Sequence, residues 1–132
     1  MRGIEILERI RDAKAKLLAV EQLPGVGGEE QLAAAFLLVF EVGRVLVAGD
    51  TAAGALCAIH AEDADDVPGG MQTSLEDEPW WRVVGCPLHG SWSESDGRML
   101  RLQLRGDTES PRFITLALEG EAVRSALARG PS

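Results

Sequence analysis

Apolar positions change their period twice along this chain, from a helical repeat to continuous apolar runs and then to strict alternation. Ile4, Leu7 and Ile10 recur every three positions, with Glu5, Glu8, Arg9 and Arg11 between them. That spacing puts the apolar side chains on one face and predicts a helix over residues 4–14. The pattern can continue through Leu17 and Leu18 to Val20, or "KLLAVEQL" is a first strand after a shorter helix. Pro24-Gly25 ends either version, and "GVGGEEQ" reads as a loop. From Leu32 the strand signals take over: "AAAFLLVFE" and "RVLVAGD" flank Val42-Gly43 as a hairpin would. Unbroken apolarity over residues 36–40 predicts a central strand covered on both faces. "ALCAIHA" is a third strand, although its alanines also tolerate a helix.

The second half is more regular. Glu78-Pro79-Trp80-Trp81 reads as a helix start with Pro at the first helical position, and Gly85 with Pro87 closes that helix after about two turns. "HGSWSES" is a short strand ending at the turn Asp96-Gly97. In "MLRLQLR", Leu100, Leu102 and Leu104 alternate with Arg101, Gln103 and Arg105, the signature of a strand with one wet face. "GDTESP" is a loop of turn formers, and "RFITLALEG" puts Ile114, Leu116 and Leu118 on one face. "AVRSALA" closes the chain as a strand or a short helix.

Short connections between consecutive strands favour antiparallel pairing, because a parallel crossover needs about a dozen residues or more. The expected architecture is α+β in a single domain over residues 1–132. It comprises a curved antiparallel sheet of five to seven strands, packed with an N-terminal helix and a short Trp-bearing helix.

Composition adds a compartment. At 45% apolar residues a packed core is expected. The start "MRGIEILERIRD" mixes charge with apolar residues and shows no signal-peptide core. "LAAAFLLVF" is about half the roughly 20 residues a spanning helix needs. A cytoplasmic protein with two reduced cysteines is therefore expected, and no disulfide framework.

Charge adds a candidate surface. The net charge is −8, and between residues 50 and 79 lie eight acids with no Lys or Arg. The remaining 13 acids match 13 bases, so the whole excess belongs to one segment. Such a field repels nucleic acid phosphates and anionic membranes. It suits a solvated loop or a docking patch for a basic protein partner, with Glu62, Asp63, Asp65 and Asp66 at its centre. "EDADDVPGG" lacks the alternating ligands and closing Glu of a calcium loop.

The soft ligands are Cys57, His60, Cys86 and His89, arranged as "CAIH" and "CPLH". "CPLHGSW" resembles the second cluster-binding loop of Rieske iron–sulfur proteins, which reads Cys-Pro-x-His-Gly. Two Cys and two His also suffice for a zinc site. Three observations oppose a metal. The Rieske first motif is Cys-x-His, whereas this chain has Cys-x-x-His. If residues 55–61 are a strand, Cys57 and His60 point to opposite faces. The acidic segment separating the two pairs is also unlike a zinc-module turn. The expectation is no cofactor, with Cys86-Pro87 at a helix-to-strand turn and a zinc or Rieske-like redox centre as the alternative.

Other catalytic signals are weak. "GVGG" lacks the Gly-Lys-Ser/Thr ending of a phosphate loop, and no nucleophile elbow surrounds Ser91, Ser93 or Ser95. The chain leans away from an enzyme. Three Trp fall within 13 residues and there is no Tyr. Adjacent Trp80 and Trp81 cannot share a direction, so one belongs to the core and the other is a candidate interface anchor. Arg98, Arg101, Arg105 and Arg112 form a basic face. It is suited to cross-strand pairing with Glu94, Glu109 or Glu119, or to homodimerisation against the acidic segment.

Taken together, "EPWWRVVGCPL", the Trp92 strand, "LRLQLRGDTESPRFITL" and "EGEAV" resemble a group of small bacterial proteins known only as a domain of unknown function. The resemblance covers roughly residues 33–127. It implies a fold type in which a Trp segment precedes an antiparallel hairpin, a variable turn residue at position 86, and no activity. The leading functional expectation is a non-enzymatic, immunity- or adaptor-like binding protein.

Overall fold

The computed structural model describes residues 1–24, 32–61, 67–73, 80–105 and 111–128. Helix α1 (Ile4–Asp12) buries Leu7 and Ile10, and carries Arg9 and Arg11 in its last turn, where positive charge suits the helix dipole. It stops earlier than the longest reading of its pattern. Lys14 takes a left-handed φ of 51°, and its N–H bonds back to the Arg11 carbonyl at 2.9 Å. "LLAVEQLP" is thereby released as strand β1 (Leu17–Pro24), the second of the two sequence readings.

Strands β2 (Leu32–Phe40) and β3 (Gly43–Asp50) form the expected hairpin, with Phe40 opposite Gly43 across the turn Glu41-Val42. β4 (Ala55–His60) pairs back onto β3, with Asp50 opposite Ala55. The two-residue β5 (Gln72–Thr73) pairs with β1. β6 (Leu88–Glu94), β7 (Met99–Leu104), β8 (Arg112–Glu119) and β9 (Ala122–Ala128) follow as an antiparallel meander. "AVRSALA" is thus a strand, since one more partner on β8 satisfies its backbone. Among the described residues, helix content is low and every strand pairing is antiparallel.

Seven strands lie on the main path, in the order β4-β3-β2-β9-β8-β7-β6, with β1 beside β2 and β5 beside β1. Ala33 explains how the sheet curls. It is paired with Pro24 of β1 and Val123 of β9, so these strands flank β2 on opposite edges. β1 then meets the start of β6 through a Lys16–Pro87 bridge. The Leu17 N–H donates to the Cys86 carbonyl at 3.0 Å, and the Gly85 N–H donates to the Leu17 carbonyl at 2.7 Å. The curled sheet is stitched across its seam.

The inner face holds the main core, including Phe36, Leu38, Val45, Val47, Leu56, Leu100, Leu102, Leu104, Ile114 and Leu116, with Leu7 and Ile10 of α1 packed among them. Each such side chain contributes on the order of 1.5–3 kcal/mol by leaving water. A second, smaller cluster of Ala35, Leu37, Leu46 and Ala61 lies on the other face, with Leu23, Val67 and Met71 against it. Phe36, Leu37 and Leu38 are all fully buried, as their unbroken run requires.

The Trp segment departs from expectation. The expected start at Glu78-Pro79 lies outside the described residues, and from residue 80 onward the chain makes a single 3-10 turn, Trp80–Arg82, in place of a helix of about two turns. The Trp80 carbonyl accepts from the N–H groups of Val83 and Val84 at 3.0 and 3.1 Å, and Gly85 then turns the chain at a φ of 89°. Val83 is fully buried and the chain must join β1 at once, so tertiary contacts cut the helix short. No helix among the described residues is long and apolar enough to cross a membrane.

Candidate functional site

The pair Trp80-Trp81 divides as the sequence requires. Trp80 is 1% exposed, with its ring centroid 5.6 Å from that of Phe36, and it ties the 3-10 turn to the core. Trp81 is 51% exposed, and the Arg82 guanidinium lies 4.4 Å from its ring centroid. That geometry is a cation–π contact on the exposed side of the turn. Hydrogen bonds from this turn to Leu17 place exposed Leu18 in the adjoining strand.

Glu62, Asp63, Asp65 and Asp66 lie outside the described residues, and so does Glu109. Around those acids the chain is held. Ala61 is buried, Val67 and Met71 pack on the second cluster, and Gln72 and Thr73 pair with β1. Of residues 67–73, Val67 and Met71 are half-buried against that cluster and the other five are exposed. Asp50 is also engaged, 3.4 Å from Arg2 and accepting from the Ala53 N–H at 3.3 Å.

The four soft ligands disperse. Along β4, Val45 opposes His60 while Ala48 opposes Cys57, which puts the two on opposite faces of the sheet. Cys57 is buried and His60 exposed. Cys86 is half-buried in the turn leading to β6, and His89 is exposed on that strand. Both cysteines are free thiols. Among the described residues no three His, Cys, Asp or Glu side chains gather closely enough to hold a metal.

Within the basic face, Arg101 has a local partner. Arg101 reaches Glu94 at 3.5 Å across the β6–β7 ladder, as the cross-strand reading expects. Glu119 instead pairs with Arg124 of β9, at 2.8 Å.

Two features escaped the sequence reading. Trp92 is also 43% exposed, and it stacks on Phe113 with ring centroids 6.3 Å apart and planes at 28°. Its ring lies over Gly90, where a side-chain carbon would come within 2.6 Å of the indole. The signal was the i, i+2 spacing of Gly90 and Trp92, which marks an aromatic covering a strand glycine. The second feature is a groove of about 490 Å³ between α1 and the β2–β3 turn, lined by Glu5, Ile6, Arg9, Ile10, Ala13, Val42, Gly43 and His60.

Comparison with protein-family models, curated proteins and solved structures returned no match.

Proposed function

We propose that this protein is a non-enzymatic binding module that docks a basic protein partner, using the acidic segment 50–79 and the indole of Trp81. The observation that carries this reading is the split between Trp80 and Trp81. One indole is buried in the core, and its neighbour is exposed with the Arg82 guanidinium over its ring. The segregated charge steers a cationic partner and raises its encounter rate, and an exposed indole supplies a low-entropy contact once it arrives. Acid-to-base pairing between copies is the competing use of the same charges, with Arg98 and Arg105 exposed on the opposite partner.

A lysine-rich peptide titrated into the protein tests the proposal through tryptophan emission. Binding should weaken about tenfold or more between 50 and 200 mM salt, as expected for several screened charges. It should be lost when Glu62→Gln, Asp63→Asn, Asp65→Asn and Asp66→Asn are combined, and Trp81→Ala should remove most of the emission change. Undiminished binding by the neutralised variant would overturn the acidic-docking reading. Concentration-dependent dimerisation abolished by Arg98→Ala with Arg105→Ala would replace it with self-association.

A further inference from the structure

Two ridges of α1 line the groove between the helix and the β2–β3 turn. Ile6 and Ile10 form the inner ridge, with Ile10 buried, while Glu5 and Arg9 form the outer one and are exposed. Residues four apart lie along one line of a helix, so this wall has an apolar floor and a charged rim. The other wall is the sheet. The inward row of β4 runs Leu56, Ala58, His60, so a core-facing register ends on an imidazole at the mouth of the curled sheet. Gly43 makes room for that ring, since a side-chain carbon there would lie 2.8 Å from His60 Nε2. Val42 stands at the lip, 61% exposed. The volume of about 490 Å³ lies in the range of small-molecule sites.

The two rim charges are open to a ligand. Arg11 of the same helix is engaged by Asp12 at 3.2 Å, whereas neither Glu5 nor Arg9 has an ion-pair partner among the described residues. Their opposite signs select the occupant. An anion on the floor meets Glu5, a cation meets Arg9, and an uncharged amphiphile takes water from both while pairing neither. A molecule with one charge of each sign satisfies both, and its apolar part then rests on Ile6, Ile10 and Val42. Spacing narrows the choice. Side chains one turn apart leave a helix about 5–6 Å from each other. A single amino acid spans at most about 3.5 Å, whereas a dipeptide reaches about 7 Å.

We propose that the groove between α1 and the β2–β3 turn binds a short zwitterionic peptide, of dipeptide length and with an aliphatic side chain. The ammonium pairs with Glu5, the carboxylate pairs with Arg9, and the aliphatic side chain lies on Ile6 and Ile10 beside Val42. This site is independent of docking by the acidic segment.

Calorimetric titration of Ala-Leu with free termini tests it, beside the N-acetylated peptide, the C-terminal amide and free leucine. About 150 mM salt keeps the chain's net charge of −8 from ranking these ligands at long range. Ala-Leu should bind about tenfold or more tightly than either capped form, the usual worth of a charge-assisted hydrogen bond. It should also bind more tightly than leucine, whose charges are too close together to reach both partners. Arg9→Gln should make Ala-Leu and its amide bind equally while the acetylated form stays weaker. Glu5→Gln should do the converse, making Ala-Leu and the acetylated form equal while the amide stays weaker. Both residues are exposed, so the thermal melts should be unaltered and will show that the variants fold. In NMR spectra the His60 ring protons and Val42 methyls should shift with Ala-Leu. No binding at millimolar peptide, leucine binding as tightly as Ala-Leu, or a ranking that both variants leave unchanged overturns the proposal. An amide that binds more tightly than free Ala-Leu also overturns it, because net charge rather than the rim pair is then selecting the ligand.

Discussion

Gly3 and Gly85 share a left-handed backbone, with φ of 85° and 89°, yet a side chain would cost them very differently. At Gly85 an added methyl meets nothing within 4 Å, so Gly85→Ala should cost only the conformational penalty of about 1–2 kcal/mol. At Gly3 the methyl would overlap the Ala58 carbonyl oxygen, part of backbone that also donates the Ala58 N–H to Arg2 at 2.9 Å. Gly3→Ala should therefore lower the urea midpoint well beyond Gly85→Ala, or prevent folding. The two tryptophans make a similar contrast. Trp80→Ala empties a core site and should cost about 3–5 kcal/mol, whereas Trp81→Ala should stay within about 0.5 kcal/mol. Paired thermal melts check both, and equal losses would mean that Trp81 is structural.

At the scale of elements, the β6–β9 meander shows how a sheet face is specified by row as well as by strand. Gly90, Gln103 and Phe113 form one row across three strands, and Trp92 lies over it from the neighbouring row. Phe113 is only 4% exposed although it points away from the main core, and Trp92 is part of its cover. Gly90→Val should push the indole off this row. The expected result is red-shifted tryptophan emission and a loss of about 1–3 kcal/mol, the usual cost of overpacking. An unshifted spectrum would show that the ring does not depend on Gly90. The ion pairs Arg101–Glu94 and Arg124–Glu119 lie on the surface, where such pairs contribute at most about 1 kcal/mol each. They set local side-chain order and add little to the fold.

For the whole molecule, α1 is the element that holds the curl. It packs against both β6 and β4, the two ends of the main strand path, and Leu7 is fully buried between helix and sheet. Leu7→Ala should cost about 2–5 kcal/mol and lower the single unfolding transition as a whole, followed by circular dichroism. Loss of helix signal before sheet signal would show instead that α1 docks independently. The groove is assembled at this scale too, joining α1 to residues 42, 43 and 60.

What the residues determined unaided was whatever depends on period and local chemistry. Alternation in "MLRLQLR" placed Leu100, Leu102 and Leu104 inside, and the apolar run of residues 36–40 required cover on both faces. The odd spacing of Cys57 and His60 sent them to opposite faces once residues 55–60 were a strand. Adjacency alone meant that Trp80 and Trp81 would part company. Tertiary structure decided the rest. Whether "KLLAVEQL" and "AVRSALA" became strands depended on distant partners in β2 and β8, since propensity is nearly neutral there. The Trp helix shrank to one turn because Val83 and Gly85 had to meet the core and β1. The groove was invisible in the chain because its two walls, residues 5–13 and residues 42, 43 and 60, are far apart in sequence and are brought together only by the curl of the sheet and the helix laid across it.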